Sequence, residues 1–338
     1  MKNVFSALLA ALMLAGMLAG CMNSSEVPMG SATAAPSQTE APAHTKISIV
    51  TTIFPEYDWV REILGDKADS AEITMLLDKG VDLHSYQPTA DDLIKISDCD
   101  LFVYVGGESD GWVDDALKSA ANKNRKVINL LEILGDSVKE EETVEGMQAE
   151  EEDHEDHEEK EYDEHVWLSL KNAKTLVGAI SAALQEIDPD NKDTYAANAD
   201  AYGQKLSALD AEYQKAVSAG TYKTLLFGDR FPFRYLVDDY GLSYYAAFAG
   251  CSAESEASFE TVSFLARKVE ELKLPCVLTI EGKNHKIAET IVQNTAGKNQ
   301  KILTMDSMQS TTSQDVARGT TYLSLMAKNL DVLKEALG

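Results

Sequence analysis

The chain has 338 residues and a formal net charge of −26, with 56 acidic against 30 basic side chains. This balance argues against nucleic acid as a partner, because binding a phosphate backbone requires clustered lysine and arginine, and it suits a cation instead. The part from residue 46 to the end exceeds a typical single-domain length, so we expect two domains.

The first 45 residues have the composition of a targeting segment and a tether. An apolar run at residues 4–19 follows Lys2 and predicts a secretory signal, since it is too short and wrongly flanked for a membrane span. It ends in the letters LAGC, which resemble the bacterial lipoprotein cleavage box. That resemblance implies cleavage before Cys21 and lipid on its thiol. The alternative is an ordinary signal with an incidental cysteine. Residues 24–42 are rich in Ser, Thr, Ala and Pro and predict a tether. No other segment is long and apolar enough to cross a bilayer.

The first half of the body alternates strand and helix patterns. They follow one another at residues 47–53, 55–64, 99–106, 112–121 and 126–132. Thr89 and Asp92 predict a capped helix start. Such alternation predicts a parallel sheet covered on both faces, with ligands at the carboxyl ends of its strands. His84 lies in a turn-rich loop at residues 78–88, where such a site would be, although a lone loop histidine is often a plain surface residue.

An acidic segment at residues 139–164 carries fifteen acidic side chains against two lysines, a local charge of −13. Blocks of like charge are usually solvated loops. This one also contains His154 and His157, and His/Asp/Glu-rich tracts collect metal ions. His165 ends the segment directly before the apolar letters VWLSL, so we expect a folded body to hold it. We therefore interpret the loop as an auxiliary metal collector and His165 as part of a fixed site.

The second half begins with two helices and then repeats the alternation. A helix is predicted from His165 to residue 187, and a proline-free periodic segment at residues 191–218 predicts a helix on the order of 40 Å long. Strand patterns beyond it end in the acidic residues Asp229, Glu281 and Asp306, each of which alone is weak evidence for a ligand. Three cysteines besides Cys21 are too few for a disulfide scaffold, and one pair plus a free thiol is possible among them: Cys99, Cys251 and Cys276.

Taken together, these motifs resemble the zinc/manganese solute-binding lipoproteins of ABC importers, a family that includes metal-binding adhesins. GVDLHSYQPTADDL is similar to the family's first-ligand loop, with His84 as ligand. The acidic insertion followed by EHVWLSL resembles the second, with His165 as ligand. The resemblance implies an α/β fold of two lobes, each a mostly parallel sheet flanked by helices, with the metal in the cleft between them. The lobes would be residues 46–187 and 221–338, joined by one long rigid helix at 188–220.

The chain departs from the family at one position. Arg230 stands where the family usually has a His or Glu ligand, and an arginine cannot be deprotonated to bind a metal. The resemblance then leaves Asp306 and Glu281 as second-lobe ligands. Two imidazoles with carboxylates suit Zn²⁺, and Mn²⁺ is the alternative.

The resemblance implies a monomer without enzymatic activity that delivers a divalent ion to an ABC permease and its ATPase. Three alternatives remain at this point. The chain could bind chelated iron or haem on a related fold, or be a surface adhesin with a structural metal. It could also be a zinc hydrolase with Glu281 as general base, although it contains no HExxH motif.

Overall fold

The computed structural model describes residues 46–119, 121–148, 161–252, 256–282 and 284–338. Cys21, His154, His157, the predicted signal segment and the predicted tether lie outside these ranges. Within them the strands are β1 (Ser48–Thr51), β2 (Glu72–Met75), β3 (Leu101–Tyr104), β4 (Lys126–Asn129), β5 (Thr224–Arg230), β6 (Ser243–Phe248), β7 (Cys276–Ile280) and β8 (Lys301–Met305). The helices are α1 (Phe54–Leu64), α2 (Ala90–Asp98), α3 (Val113–Lys118), α4 (Leu130–Leu134), α5 (Leu170–Ile187), α6 (Lys192–Ala219), α7 (Arg234–Tyr240), α8 (Phe259–Glu271), α9 (Lys286–Gln293), α10 (Ser313–Ala317) and α11 (Tyr322–Leu337).

The strands form two four-stranded parallel sheets, ordered β2-β1-β3-β4 and β6-β5-β7-β8. The predicted α/β fold with two lobes is confirmed. In each sheet the order reverses beside the first strand, and ligands of open α/β sheets bind at the carboxyl ends of the strands near such a reversal. The loops that follow the strands at this edge of each sheet are therefore the places to look for a site.

Helix α6 contacts both lobes along its length. It has 28 residues, so it is about 42 Å long. In the first lobe the side chain of Asn198 donates a 2.9 Å hydrogen bond to the carbonyl of Ile63 at the end of α1. Farther along, the hydroxyl of Tyr213 donates a 2.6 Å bond to the carbonyl of Met326 in α11. A helix packed on both lobes in this way restricts their relative movement.

The described residues from 46 to 338 belong to one compact unit. One hydrophobic cluster extends across both lobes, from Ile49 in β1 to Met305 in β8. Among the described cysteines all three are free, with Cys99 and Cys276 buried and Cys251 partly exposed. No helix of the described ranges is long and apolar enough to cross a membrane.

Three details differ from the sequence expectation. The strand expected at residues 126–132 ends at Asn129, and the rest of that range belongs to α4. Strand β2 was not predicted, because its four residues EITM are only partly buried and too short to show a clear period. The pattern at the end of the chain predicts one helix from about Gln314 to Leu337, but the structure has α10 and α11 there, with Gly319 between them at a φ of +94°. The left-handed region favours glycine and cannot continue a right-handed helix.

Candidate metal centre

His84 and His165 are held by short turns whose apolar side chains are buried. His84 lies in a single helical turn (Leu83–Ser85) after β2, and Asp82 caps this turn by accepting a 3.1 Å hydrogen bond from the backbone N–H of His84. His165 is fully buried and is followed by the turn Val166–Leu168, whose three side chains are fully buried as well. The apolar run after His165 thus fixes it in the folded body, as the sequence indicated.

The two imidazoles face each other through their Nε2 atoms, which are 3.2 Å apart. Their other ring nitrogens point away to protein partners. Nδ1 of His84 lies 2.8 Å from Oγ of Ser109, and Nδ1 of His165 lies 3.0 Å from Oδ1 of Asp163. A proton on each Nδ1, which we assign from these partners, leaves both Nε2 lone pairs pointing into the same space. A tetrahedral zinc ion bonded to both nitrogens would separate them by about 3.3 Å.

Two buried carboxylates surround the imidazoles. Asp163 accepts hydrogen bonds from both the backbone N–H and the ring of His165, at 2.9 and 3.0 Å. Glu164 accepts a 2.8 Å bond from the backbone N–H of Ser109, and its second oxygen lies 3.4 Å from Nδ1 of His84. Burial raises the pKa of Glu164, although the hydrogen bonds from Ser109 oppose this. Negative charge placed around neutral imidazoles favours a bound cation.

The same surroundings keep His84 in the form that binds metals. Burial, and next the charge of His165, lower the pKa of His84 to about 3. The imidazole is therefore neutral at physiological pH, and a neutral imidazole is the form that coordinates zinc.

Arg230 binds the loop that carries His84. Its Nη2 lies 2.5 Å from Oδ2 of Asp82, in an ion pair between the two lobes. Burial acts to raise the pKa of Asp82, but the hydrogen bond and charge of Arg230 outweigh it and the pKa is lowered. The register of β5 against β6 is irregular between Phe227 and Arg230, which re-aims the end of this strand.

Among the described residues, one group of three metal-binding side chains has all its ligand atoms within 4.8 Å of one another: His84, His165 and Cys251. The sequence reasoning considered Cys251 only as a disulfide candidate and missed it here. The available signal was its position three residues after β6, which matches the placement of Glu281 and Asp306 directly after β7 and β8. Burial, and next the charge of Glu141, raise the pKa of the Cys251 thiol.

Glu281 and Asp306 lie at the carboxyl ends of neighbouring strands but are not members of this group. Glu281 accepts hydrogen bonds from the backbone N–H and hydroxyl of Ser307, both at 2.7 Å, and from the backbone N–H of Gln309 at 3.2 Å. Asp306 accepts a 2.8 Å bond from the backbone N–H of Met308. Burial, and next the charge of Glu281, raise the pKa of Asp306 to about 6. Asp229 accepts bonds from the backbone N–H groups of Arg230 and Ile280, at 2.9 and 3.3 Å.

Gln309 brings the turn after β8 to the imidazoles. The residue is 7% exposed, and its Nε2 lies 3.4 Å from Nε2 of His165. Its Oε1 is buried without a hydrogen-bond partner in the part of the chain that the structure describes. Sequence reasoning gave no sign of this residue.

The described start of the acidic segment, residues 139–148, packs against the second lobe. The backbone N–H of Lys139 donates a 3.1 Å bond to the hydroxyl of Tyr235, and that of Gln148 donates a 3.0 Å bond to the carbonyl of Ala247. A Cβ on Gly146 would lie 2.0 Å from the ring of Phe264, so the segment lies directly on α8. The metal-collecting role proposed for His154 and His157 falls outside the described residues.

Comparison with known proteins places these features in context. A family model described as zinc-uptake complex component A, periplasmic (ZnuA) matches residues 49–336. The zinc-binding lipoprotein AdcA of Streptococcus pneumoniae serotype 4 is 32% identical over 297 residues, which are 87% of this chain and 56% of that relative. The chain thus spans about half the length of AdcA. The high-affinity zinc uptake system protein ZnuA of Bacillus subtilis is 32% identical over 295 residues, covering 86% of this chain and 88% of that protein.

Solved structures agree with the fold. The Zn(II)-bound ZnuA-like domain of Streptococcus pneumoniae AdcA aligns with a TM-score of 0.67 at 31% identity, covering 86% of this chain and 99% of that domain. The laminin-binding protein Lmb of Streptococcus agalactiae, described as a bifunctional protein with adhesin and metal transporting activity, aligns with a TM-score of 0.69 at 26% identity, covering 86% of this chain and 100% of that one.

Proposed function

The chain belongs to the family of component A of periplasmic zinc-uptake complexes, and from this premise we propose that it captures one Zn²⁺ ion outside the cytoplasm for import. The observation that carries the proposal is the pair of buried imidazoles whose Nε2 atoms converge at 3.2 Å. Relatives named as zinc-binding and zinc-uptake proteins support zinc as the cargo.

The spacing of the imidazoles favours a bare ion over a larger iron complex. Two histidine ligands on opposite sides of a haem iron would have to lie about twice a metal–nitrogen bond apart, roughly 4 Å, with the macrocycle between them. His84 and His165 are closer than that, and their outer nitrogens are both held by protein partners.

The second-lobe carboxylates stay part of the proposal. Asp306 and Glu281 follow β8 and β7 at the edge of the sheet that faces His165, and the family resemblance gives them as ligands. In the described conformation Glu281 holds the turn that carries Ser307 and Gln309. A carboxylate would therefore reach the ion only after a rearrangement of this turn.

We propose further that the protein performs no chemistry and delivers the ion, as a monomer, to an ABC permease driven by its ATPase. The hydrolase alternative assigns general-base catalysis to Glu281, whose oxygens instead accept hydrogen bonds from Ser307, Gln309 and Ser310 of the neighbouring turn. Lipid on Cys21 would hold the protein at the outer face of the cell membrane. The change Cys21→Ser should release it from the membrane fraction, and retention there would contradict the anchor.

The zinc proposal is tested by chelator competition on metal-stripped protein. His84→Ala and His165→Ala should each lower zinc affinity by more than about 100-fold, beyond the loss typical of an outer-shell partner. His285→Ala is the matched control, since His285 lies before α9 and outside the group. The measurement uses a background with His154→Gln and His157→Gln, so that ions on the acidic loop do not hide the tight site. Wild-type affinity in both variants would end the proposal.

A further inference from the structure

The sulfur of Cys251 lies close enough to both imidazoles to share one ion with them. Its Sγ and the nitrogens of His84 and His165 are all within 4.8 Å of one another. A tetrahedral zinc ion bonded to sulfur and nitrogen holds these two atoms about 3.6 Å apart. The three atoms therefore need to approach one another by only about an ångström to bind a common ion.

The loop after β6 is built to bring this cysteine to the imidazoles. A Cβ at position 250 would lie 3.1 Å from the ring of His165 and 2.9 Å from the carbonyl of Phe231, so the glycine there leaves room for the close approach of the loop. The backbone N–H of Cys251 itself donates a 3.0 Å bond to Glu141. The next residue, Ser252, is 2% exposed, and its carbonyl accepts a 3.4 Å bond from Arg230. The backbone that carries the thiol is thus held on both sides.

A second polar side chain points to a ligand in the same space. The amide of Gln309 reaches 3.4 Å from Nε2 of His165, and its Oε1 is buried without a donor among the described residues. The two ends of a glutamine amide are exchanged by a half-turn, so the oxygen can face the imidazoles instead. An oxygen in that place suits the remaining position of an ion already held by three ligands, the position that a second-lobe carboxylate would take once the turn rearranges.

From this arrangement we infer that Cys251 is the third protein ligand and that its thiolate selects zinc over manganese. Arg230, in the family's usual ligand position, is engaged with Asp82 and supplies no donor. The Cys251 thiolate supplies the donor atom that Arg230 does not provide, and it adds a negative charge. The thiol releases its proton when the ion binds. Sulfur ligands favour zinc, whereas manganese prefers oxygen. This inference rests on the proposed function.

The direct test is titration of the metal-stripped protein with Co²⁺, which replaces zinc in tetrahedral sites and has visible and near-ultraviolet absorption. We expect tetrahedral bands together with a sulfur-to-metal charge-transfer band, and the latter should vanish in Cys251→Ser. Cys276→Ser is the control, because that cysteine is buried in β7 outside the group. Cobalt bound by the imidazoles without the sulfur band would overturn the inference and leave the proposed function standing. No tight cobalt site at all would overturn both.

Cargo preference gives a second readout. In competition between Zn²⁺ and Mn²⁺, Cys251→Ser should lose zinc affinity by more than about 100-fold and keep manganese affinity within about threefold. Cys251→Asp, which restores a negative ligand with oxygen, should shift the preference toward manganese. Equal losses for both metals, with circular dichroism unchanged, would mean that the cysteine is not the source of selectivity.

Discussion

Replacing Gly250 by alanine should weaken zinc binding while the protein stays folded. The added methyl group would lie 2.9 Å from the carbonyl oxygen of Phe231 and 3.1 Å from Cε1 of His165. Ordinary contact begins at 3.4 Å, so the loop or the imidazole must move by about 0.5 Å. Metal–ligand distances in a working site tolerate about 0.2 Å. The displacement therefore exceeds what the site can absorb.

The expected loss of zinc affinity is about 10- to 100-fold, as for disturbed outer-shell partners, which is about 1.4 to 2.7 kcal/mol. Chelator competition measures it, and circular dichroism with thermal unfolding checks the fold. Gly178→Ala is the matched control, because a Cβ there would meet nothing within 4 Å in α5. This control should keep zinc affinity and gain up to about 1 kcal/mol of stability. Unchanged zinc affinity in Gly250→Ala would refute the reasoning about this loop.

Three further predictions follow from charges around the site. Asp306→Ala and Glu281→Ala should each weaken zinc binding, and Asp306→Ala should weaken it more. Arg230→Ala should change zinc affinity by less than about tenfold. A loss of zinc affinity in Arg230→Ala that exceeds the loss in Asp306→Ala, measured by chelator competition, would contradict our ligand placement. A protein without residues 149–160 should keep one tight zinc ion and lose weaker, salt-sensitive ions. Equilibrium dialysis at low and high salt counts the bound ions. Loss of the tight ion would show that the deleted segment has a structural role. In the metal-free protein, burial lowers the pKa of His84 to about 3 in the folded state. As the pH falls, the unfolded chain therefore takes up a proton on His84 before the folded protein does. The wild type should therefore lose about 3 kcal/mol relative to His84→Asn between pH 7 and 4 in denaturant unfolding, and equal pH slopes would contradict the buried neutral imidazole.

The sequence was sufficient for the fold because its signals are local and repeated. Strand and helix periods alternate along the body, and the long helix shows its period over many turns without a proline, so α6 was predicted closely. β2 escaped because a four-residue, half-exposed strand has no clear period. The break before α11 depends on one glycine, Gly319, whose conformation no pattern reveals.

The site was only partly accessible from the sequence. His84 and His165 could be proposed from a turn-rich loop and from the apolar run behind the acidic segment, and the structure brings their rings together. Cys251 showed only its position after a strand, and Gln309 showed no signal, because their role depends on which loops the two sheets bring face to face. Arg230 was recognised as a departure from the family, but its partner, Asp82, lies 148 positions away in the other lobe.

Isothermal titration of metal-stripped, tag-free protein with Zn²⁺, paired with elemental analysis of the protein as purified, tests the capture of a single zinc ion most directly. We expect zinc as the metal present, and one tight zinc ion per chain that is lost in His84→Ala and His165→Ala and retained in His285→Ala. A purified protein that carries manganese or iron in place of zinc, or tight zinc binding that survives both histidine changes, would contradict the account.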